Sequence, residues 1–480
     1  MDSFYDKDLF SLDATAVAHI IRTKQQSIYE IVSRMIEHTK TENTYIQAVV
    51  EDRFEDALRE AKEKDAILES TTDVGPLFGV PISVKESFDV KGMKTTGGLM
   101  HLKNHVATTD ADVIQALKYA GAIILCKTNT PTLCFCQETD NKLYGRTNNA
   151  WDQSKTAGGS SGGEAALLAV GGVAVGIGSD IGGSIRFPSH FNGVIGFKPG
   201  RFQVSPQGHF PTESIPLQQR MSTAGPIGKS VRDMELIYEH ITHTPVPRKD
   251  EQEFTVSFLR EDQPYPLQKS TRKWIQQVEQ FAASIGYVEQ DMPPYFLDCA
   301  TVWQEIMSID GATEMKKLAF PNPKPSYIRS YMWEKLSGKS SVHRYLSWAL
   351  IGATLFKPSQ KRVEELVSYF SQGDEEVYNY YENRVSILPV YHSAALPHGD
   401  VYREIFSIKK TYQQVMPYVA YANVWGLPSL TIPIGVDDAN MPIGIQIISR
   451  VGNEDLIFHV GKLMEREFRG YVRSTPTTRA

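Results

Sequence analysis

Cysteine and long apolar runs are both scarce in this sequence of 480 residues. Its four cysteines, Cys126, Cys134, Cys136 and Cys299, have no paired C-x-x-C spacing, which argues against a zinc site or a disulfide framework. No uncharged apolar run approaches roughly 18 residues, so neither a membrane-spanning helix nor stable membrane insertion is predicted. The first residues, M-D-S-F-Y-D-K-D, lack the basic and apolar regions of a secretory signal. Together these absences predict a cytoplasmic protein.

A large excess of one charge is also missing. The chain has 50 basic and 56 acidic residues and no block of basic residues, so nucleic acid is not expected as a partner. The 12 histidines form no convincing site, because His101 and His105 are spaced i, i+4 without a carboxylate in a metal-binding pattern beside them. We expect these two histidines on the surface, and we expect neither a metal nor a cofactor.

Glycine and serine, by contrast, are concentrated between Thr156 and Pro188. The stretch reads T-A-G-G-S-S-G-G-E-A-A-L-L-A-V-G-G-V-A-V-G-I-G-S-D-I-G-G-S-I-R-F-P. Glycine tolerates positive φ and close backbone approach, so a backbone of this kind can aim several N–H groups at one point beside a hydroxyl. That arrangement is what a loop needs to stabilise an oxyanion next to a nucleophile.

Three commoner uses of such a stretch fit poorly. A flexible linker does not carry residues such as Leu167 and Val170 between its glycines. The phosphate-binding patterns are not met, because Gly176 opens no G-x-G-x-x-G and no lysine follows Gly163. The G-x-S-x-G elbow of other serine hydrolases is missing too, since Arg186 stands where its last glycine would be. Some other use of serine is therefore indicated.

A lysine closes an apolar run upstream of this stretch. The letters G-V-P-I-S-V-K span residues 79–85, and the apolar part predicts a short strand buried on both faces that ends at Lys85. Taken alone, a lysine in such a place usually extends to the surface. A desolvated lysine, in contrast, has a lowered pKa and serves as a base near neutral pH.

These motifs together resemble the amidase-signature family of serine hydrolases. The resemblance rests on G-G-S-S-G-G at 158–163, D-I-G-G-S at 180–184 and G-x-P-x-x-x-K at 79–85, and it covers about 75–211 and 422–470. Glu164 in the motif and the pattern N-x-x-Y-G-R-T-N-N at 141–149 make the sequence most similar to the fatty-acid amide hydrolase branch.

The resemblance implies a Ser–Ser–Lys triad. In it Ser184 is the nucleophile, Ser160 is the bridging residue after a cis peptide bond, and Lys85 is the base. Ser160 suits a proton bridge because a hydroxyl donates and accepts at once. The candidate oxyanion hole consists of the backbone N–H groups of Ile181, Gly182, Gly183 and Ser184.

Further site residues are predicted around the triad. Cys134, Ser160 and Ser161 are expected to contact the substrate, with Cys134 on the acyl-binding side that the resemblance implies. Asp180 and Arg186 flank the nucleophile loop and are expected to support it as a structural pair.

The activity implied is hydrolysis of a carboxylic amide C–N bond through an acyl-enzyme, on a small or lipid-like acyl amide. Two alternatives remain open: an amidotransferase of the A type that works with a partner on charged tRNA, and a catalytically inactive scaffold on the same fold. The expected partner is a small-molecule amide, and a homodimer is left open.

The predicted fold is α/β, a single large domain with a central mixed β-sheet flanked by α-helices. Residues 1–72 are expected to form an N-terminal helical segment and 73–480 the amidase-signature domain, with a variable substrate-channel region at 245–412. Locally, residues 45–50 are expected to form a strand, and Thr109 or Asp110 is expected to cap a helix that ends at Gly121.

Overall fold

One mixed sheet of 11 strands runs through the protein. The structure is a computed structural model, and it describes residues 8–71, 73–243, 245–246, 253–321, 327–407 and 410–475. Within those ranges the strands are β1 (Val49–Asp52), β2 (Pro81–Lys85), β3 (Ile123–Thr128), β4 (Asp140–Asn141), β5 (Gly145–Arg146), β6 (Val175–Asp180), β7 (Ile195–Lys198), β8 (Thr223–Gly228), β9 (Thr255–Phe258), β10 (Tyr287–Gln290), β11 (Arg384–Pro389), β12 (Ser429–Val436) and β13 (Pro442–Ile448). β4 and β5 pair only with each other.

The order of the strands across the large sheet is β1-β3-β2-β6-β8-β7-β12-β13-β11-β9-β10. Strands β3, β2 and β6 are parallel neighbours, as are β11, β9 and β10. Every pair from β6 to β11 across the middle of the sheet is antiparallel, and so is the edge pair of β1 and β3. The prediction of a mixed sheet is therefore confirmed.

Helices pack against this sheet. In the described part of the chain they are α1 (Ala14–Arg22), α2 (Ile28–Ile46), α3 (Phe54–Ser70), α4 (Asp112–Tyr119), α5 (Gly162–Ala169), α6 (Arg186–Asn192), α7 (Pro216–Gln219), α8 (Val231–Thr242), α9 (Lys269–Ala282), α10 (Cys299–Met307), α11 (Thr313–Ala319), α12 (Tyr327–Ser337), α13 (Arg344–Leu355), α14 (Gln360–Tyr380), α15 (Asp400–Ile405), α16 (Lys410–Val415), α17 (Pro417–Val424) and α18 (Glu454–Glu467). None of the helices described is both long and apolar enough to cross a bilayer.

Two local predictions near the N-terminus need correction. No strand spans 45–50, because α2 continues to Ile46 and β1 begins only at Val49. The buried Ile46 side chain holds the last helical turn, and the Asn43 side chain then accepts hydrogen bonds from the N–H groups of Ala48 and Val49. The fully buried β2 strand, by contrast, ends at Lys85 as predicted.

The predicted cap of α4 is also wrong. The residue at the N-cap is Ala111, which makes no side-chain cap, and neither Thr109 nor Asp110 takes that role. The Asp110 carboxylate instead accepts hydrogen bonds from the Lys91 N–H and from Lys118 Nζ. The other end is as expected, since Gly121 follows the helix with φ of +98°.

The second half of the chain is helix-rich, yet it also supplies strands that were not predicted. Three of them, β9, β10 and β11, form one end of the large sheet within the region 245–412. Parts of that region, residues 247–252, 322–326 and 408–409, lie outside the described residues, as do 1–7 and 72 of the N-terminal segment. One continuous hydrophobic cluster joins the N-terminal helices to the sheet, and the boundary between 72 and 73 stays a prediction.

Candidate active site

Lys85 ends β2 inside the protein rather than at its surface. The side chain is completely buried, and its Nζ donates hydrogen bonds to Ser160 Oγ at 2.6 Å and to Ser179 Oγ at 2.9 Å. Burial lowers the pKa of Lys85, because removal from water disfavours the charged amine. The residue therefore has the environment of a base and not that of a lysine extended into solvent.

Ser160 lies in the turn that leads into α5, and the peptide bond between Gly159 and Ser160 is cis. The turn passes very close to other backbone. A Cβ on Gly159 would lie 2.6 Å from the Cys136 carbonyl oxygen, and one on Gly163 would lie 2.5 Å from the Asn129 nitrogen. Only glycine fits at these positions, which explains why the serine pair is enclosed by glycines.

Ser184 occupies the loop between β6 and α6. Its side chain lines two adjoining cavities, and Ser160 lines one of them. The Ser161 N–H donates to the Ser184 carbonyl at 3.1 Å, which joins the two serine-containing loops directly. The structure thus brings the three predicted triad residues into one buried region from three separate segments of chain.

The nucleophile loop is built around Asp180, the last residue of β6. Its carboxylate accepts hydrogen bonds from the N–H groups of Gly183 and Ile185 at 2.9 and 3.0 Å. The Arg186 guanidinium donates to the same carboxylate through Nε and Nη2 at 3.1 and 3.0 Å. Burial alone would raise the pKa of Asp180, but the Arg186 charge and these hydrogen bonds hold it well below its usual value.

This arrangement bears on the predicted oxyanion hole. The Gly183 N–H already donates to Asp180, so this donor has a partner inside the loop. The carbonyl of Ile181 accepts from Trp303 Nε1 at 2.8 Å, which turns the N–H of the same peptide, that of Gly182, to the opposite side. The N–H groups of Ile181, Gly182 and Ser184 stay the predicted oxyanion donors.

Ser161 and Cys134 have different surroundings. Ser161 is fully buried, and its Oγ lies 3.3 Å from both the carbonyl oxygen and the nitrogen of Ser179. Cys134 lines both cavities beside Ser184, with a left-handed backbone at φ of 58°. The position of Cys134 is compatible with substrate contact, and the predicted role of Ser161 in binding stays a prediction.

Glu164 lies beneath the lysine in the first turn of α5. Ser83 Oγ and Thr128 Oγ1 donate to its carboxyl group at 2.5 and 2.7 Å. Burial raises the pKa of Glu164 to about 7. A Cβ on Gly176 would lie 2.0 Å from Glu164 Oε2, so glycine at that position of β6 makes room for the carboxyl group.

The two cavities at Ser184 differ in chemistry. The first has mostly apolar walls, which include Trp303, Met307, Trp348, Leu355, Phe356 and Tyr412. The second has polar and acidic walls, which include Glu213, Ser214, Ser222, Asp310 and Glu314. A molecule bound across Ser184 would therefore place an apolar group on one side and a polar group on the other.

Three residues at the site were missed by sequence reasoning. Trp303 and Gln137 bind carbonyls of the nucleophile loop, Trp303 at Ile181 and Gln137 at Gly182. His209 lies 3.0 Å from Ser179 Oγ through its Nε2. His101 and His105, in contrast, are exposed as expected.

The chain matches the model of the amidase family over residues 30–458. It belongs to that family. This membership confirms the resemblance seen in the motifs and makes the protein an amidase, a hydrolase of amide C–N bonds.

Individual relatives agree with the family assignment. The chain is 30% identical to fatty-acid amide hydrolase 2 of Homo sapiens over 97% of its own length and 90% of that protein. It is 28% identical to indoleacetamide hydrolase of Bradyrhizobium diazoefficiens over 94% of its length and 86% of that protein. A glutamyl-tRNA(Gln) amidotransferase of Cyanothece sp., in its A component, is 27% identical over 92% of this chain and 95% of its own.

Solved structures show the same fold. A 6-aminohexanoate cyclic dimer hydrolase superposes with a TM-score of 0.81 at 24% identity, covering 98% of this chain and 99% of the other. A fatty acid amide hydrolase gives 0.80 at 22% identity, covering 95% and 85%. These likenesses confirm the α/β fold with a large mixed sheet.

Proposed function

We propose that this amidase works through a Ser–Ser–Lys triad of Ser184, Ser160 and Lys85. The observation that carries the proposal is the 2.6 Å contact between Lys85 Nζ and Ser160 Oγ, with both groups buried and Ser160 sharing a cavity with Ser184. A lysine freed from water and facing a hydroxyl is equipped to act as a base. Nothing in that contact would be needed for packing alone.

The proposed reaction begins with neutral Lys85. As Ser184 Oγ attacks the carbonyl carbon, its proton passes to Ser160 Oγ and the Ser160 proton passes to Lys85 Nζ. The negative carbonyl oxygen is stabilised by backbone N–H groups of the nucleophile loop. Lys85 then returns the proton through Ser160 to the leaving nitrogen, the C–N bond breaks, and water hydrolyses the acyl-enzyme by the same relay.

The proposed substrate is a small or lipid-like acyl amide whose acyl group occupies the apolar cavity. Support comes from the tryptophans and methionine that line this cavity next to Ser184, because such walls bind hydrocarbon and exclude water. The human relative is named a fatty-acid amide hydrolase, which agrees with an apolar acyl group.

A fluorophosphonate probe tests the nucleophile, since it labels an activated serine covalently. We expect labelling of the native protein at Ser184, none after Ser184→Ala, and normal labelling after Ser222→Ala, a matched change in the wall of the same region. Turnover of acyl amides from acetyl to octadecanoyl then defines the acyl preference. Native protein that resists the probe and hydrolyses none of these amides would favour the inactive scaffold.

Activity restricted to a charged tRNA in the presence of a partner would instead favour the amidotransferase alternative. We propose that the natural partner is a small-molecule amide and not nucleic acid, and that the protein works in the cytoplasm, where the thiols of its four free cysteines stay reduced. A homodimer stays a prediction, which light scattering of the purified protein checks.

A further inference from the structure

His209 lies at the end of a chain of contacts that begins at Lys85. Ser179 Oγ accepts a hydrogen bond from Lys85 Nζ at 2.9 Å and lies 3.0 Å from His209 Nε2. The exposed fraction is 0% for Lys85, 6% for Ser179 and 9% for His209, so these contacts are made largely away from water. On the side of Lys85 opposite to its role toward Ser160, the amine is thus connected to an imidazole.

Backbone pairing fixes this imidazole in place. The segment that follows β2 runs alongside residues 208–210: the Asp89 N–H donates to the Gly208 carbonyl at 2.8 Å, and the Phe210 N–H donates to the Ser87 carbonyl at 2.7 Å. The Phe88 ring packs edge-on against the His209 ring, with centroids 4.8 Å apart. Because the same segment continues directly from Lys85, the lysine and the histidine are held in register.

The partners of the ring determine which nitrogen carries the proton. His209 Nδ1 lies 3.1 Å from the Pro211 carbonyl oxygen, which can only accept, so Nδ1 bears the hydrogen. Burial lowers the pKa of His209, and the ring is therefore neutral near pH 7 with a lone pair on Nε2. The Ser179 hydroxyl donates to that lone pair. Ser87 Oγ lies 3.2 Å from the same nitrogen as a second, longer contact.

We propose that His209 is a positioning residue for amide hydrolysis, which acts through Ser179 to keep the lone pair of Lys85 directed at Ser160. A neutral amine has two N–H groups and one lone pair. As long as the Ser179 hydrogen points to His209, Ser179 can only accept from Lys85, and the lone pair stays free for the Ser160 proton. Without His209, the Ser179 hydroxyl would turn and donate to Lys85, which would occupy that lone pair.

The proposal rests on the proposed role of Lys85 as base, and substitutions at His209 test it. We expect His209→Leu to lower kcat for an acyl amide about tenfold, the effect of losing one hydrogen bond of ordinary net strength, with KM changed less than about twofold. His209→Gln should keep most of kcat, because its Oε1 reaches the place of Nε2 and accepts from Ser179. His209→Asn, whose amide is too short for that, should be as slow as His209→Leu. The matched control is His101→Leu, at an exposed histidine.

The glutamine and asparagine variants keep a polar side chain, so they decide the question even where His209→Leu melts at a lower temperature. A loss carried by KM would overturn the proposal, because it would mean that His209 contacts the substrate. Equal activity of His209→Gln and His209→Asn would overturn it too, since only one of them presents an acceptor to Ser179.

A double-mutant cycle gives an independent readout. If His209 acts through Ser179, the pair Ser179→Ala with His209→Leu should be no slower than the slower single variant, because each change breaks the same chain. Losses that multiply would overturn the proposal.

The two proposals fail in different ways. Full turnover by Ser184→Ala would remove the triad itself, whereas an inactive Ser184→Ala together with multiplying losses at His209 and Ser179 would remove only the positioning role.

Discussion

Arg186 binds Asp180 through two hydrogen bonds, Nε to Oδ2 at 3.1 Å and Nη2 to Oδ1 at 3.0 Å, and neither side chain is exposed to solvent. The same guanidinium also donates to the Val419 carbonyl and to Gln446 Oε1 at 2.9 Å each. The pair therefore connects the nucleophile loop to α17 and β13 near the C-terminus. It supports the position of Ser184 without taking part in proton transfer.

Arg186→Met is expected to lower the free energy of unfolding by about 3–5 kcal/mol, because it leaves the Asp180 carboxylate buried without its counter-charge. The measurement is urea unfolding followed by tryptophan fluorescence. The matched control is Arg260→Met, at an exposed pair with Asp262, which should change stability by less than about 1 kcal/mol. Equal small losses for both variants would contradict a supporting role of the buried pair.

The triad could be predicted because each of its residues stands in a compact local motif. Gly159 and Gly163 are required by backbone lying within 2.5–2.6 Å of where a Cβ would be, so close packing around Ser160 is visible in the sequence itself. His209 carries no such signal: it is 30 residues from Ser179, and only the folded chain brings the two together.

Strand prediction failed for a similar reason. β9 and β10 have four residues each and pair with one another across intervening helix α9. Such short runs carry little periodicity, and their edges are completed by hydrogen bonds to distant chain. β2 and β3, in contrast, are buried throughout and read as continuous apolar runs.

Gly352 offers a test of what the apolar cavity binds. It lies in α13 on the cavity wall, and a Cβ added there would meet nothing within 4 Å. Gly352→Leu should therefore narrow the cavity without strain and lower kcat/KM for octadecanoyl amides roughly tenfold, the usual order of effect for overfilling a packed space. Acetyl amides should be hydrolysed as before.

Gly352→Ala is the graded control, since one methyl group leaves most of the space open. A uniform loss for short and long acyl groups would mean that the acyl chain does not occupy this cavity. A loss for the short acyl group alone would place the long chain elsewhere.

Glu164→Gln is expected to remove a pH dependence of stability. Burial raises the pKa of Glu164 to about 7 in the folded protein, above its ordinary value of 4.5. Between these values the unfolded chain loses the proton and the folded chain keeps it, so the carboxyl group lowers the free energy of unfolding as pH rises through this window. The variant should therefore gain on the native protein by roughly 2–3 kcal/mol from pH 4.5 to 7.

Urea unfolding of both proteins at the two ends of that window measures the difference. Glu261→Gln, at an exposed position, should run parallel to the native protein throughout. If Glu164→Gln also runs parallel to it, the carboxyl group is ionised in the folded state, despite its burial.

Lys85→Ala tests the base by comparing two substrates. Lys85 has two proposed tasks, to accept a proton through Ser160 and later to return one to the departing nitrogen. An amine anion leaves poorly without that proton, whereas the alkoxide of a matched ester leaves far more easily. General acid–base assistance is worth roughly 10²–10⁴-fold in rate, so the variant should slow on both substrates and more on the amide.

The pH profile adds a second readout, because burial lowers the pKa of Lys85 and only the neutral amine accepts a proton. Amide turnover by the native protein should rise with pH as Lys85 loses its proton, and this limb should be absent in Lys85→Ala. Equal losses on amide and ester would restrict the lysine to the first proton transfer. If neither substrate is affected, the 2.6 Å contact with Ser160 serves packing, and the base must be sought elsewhere in the site.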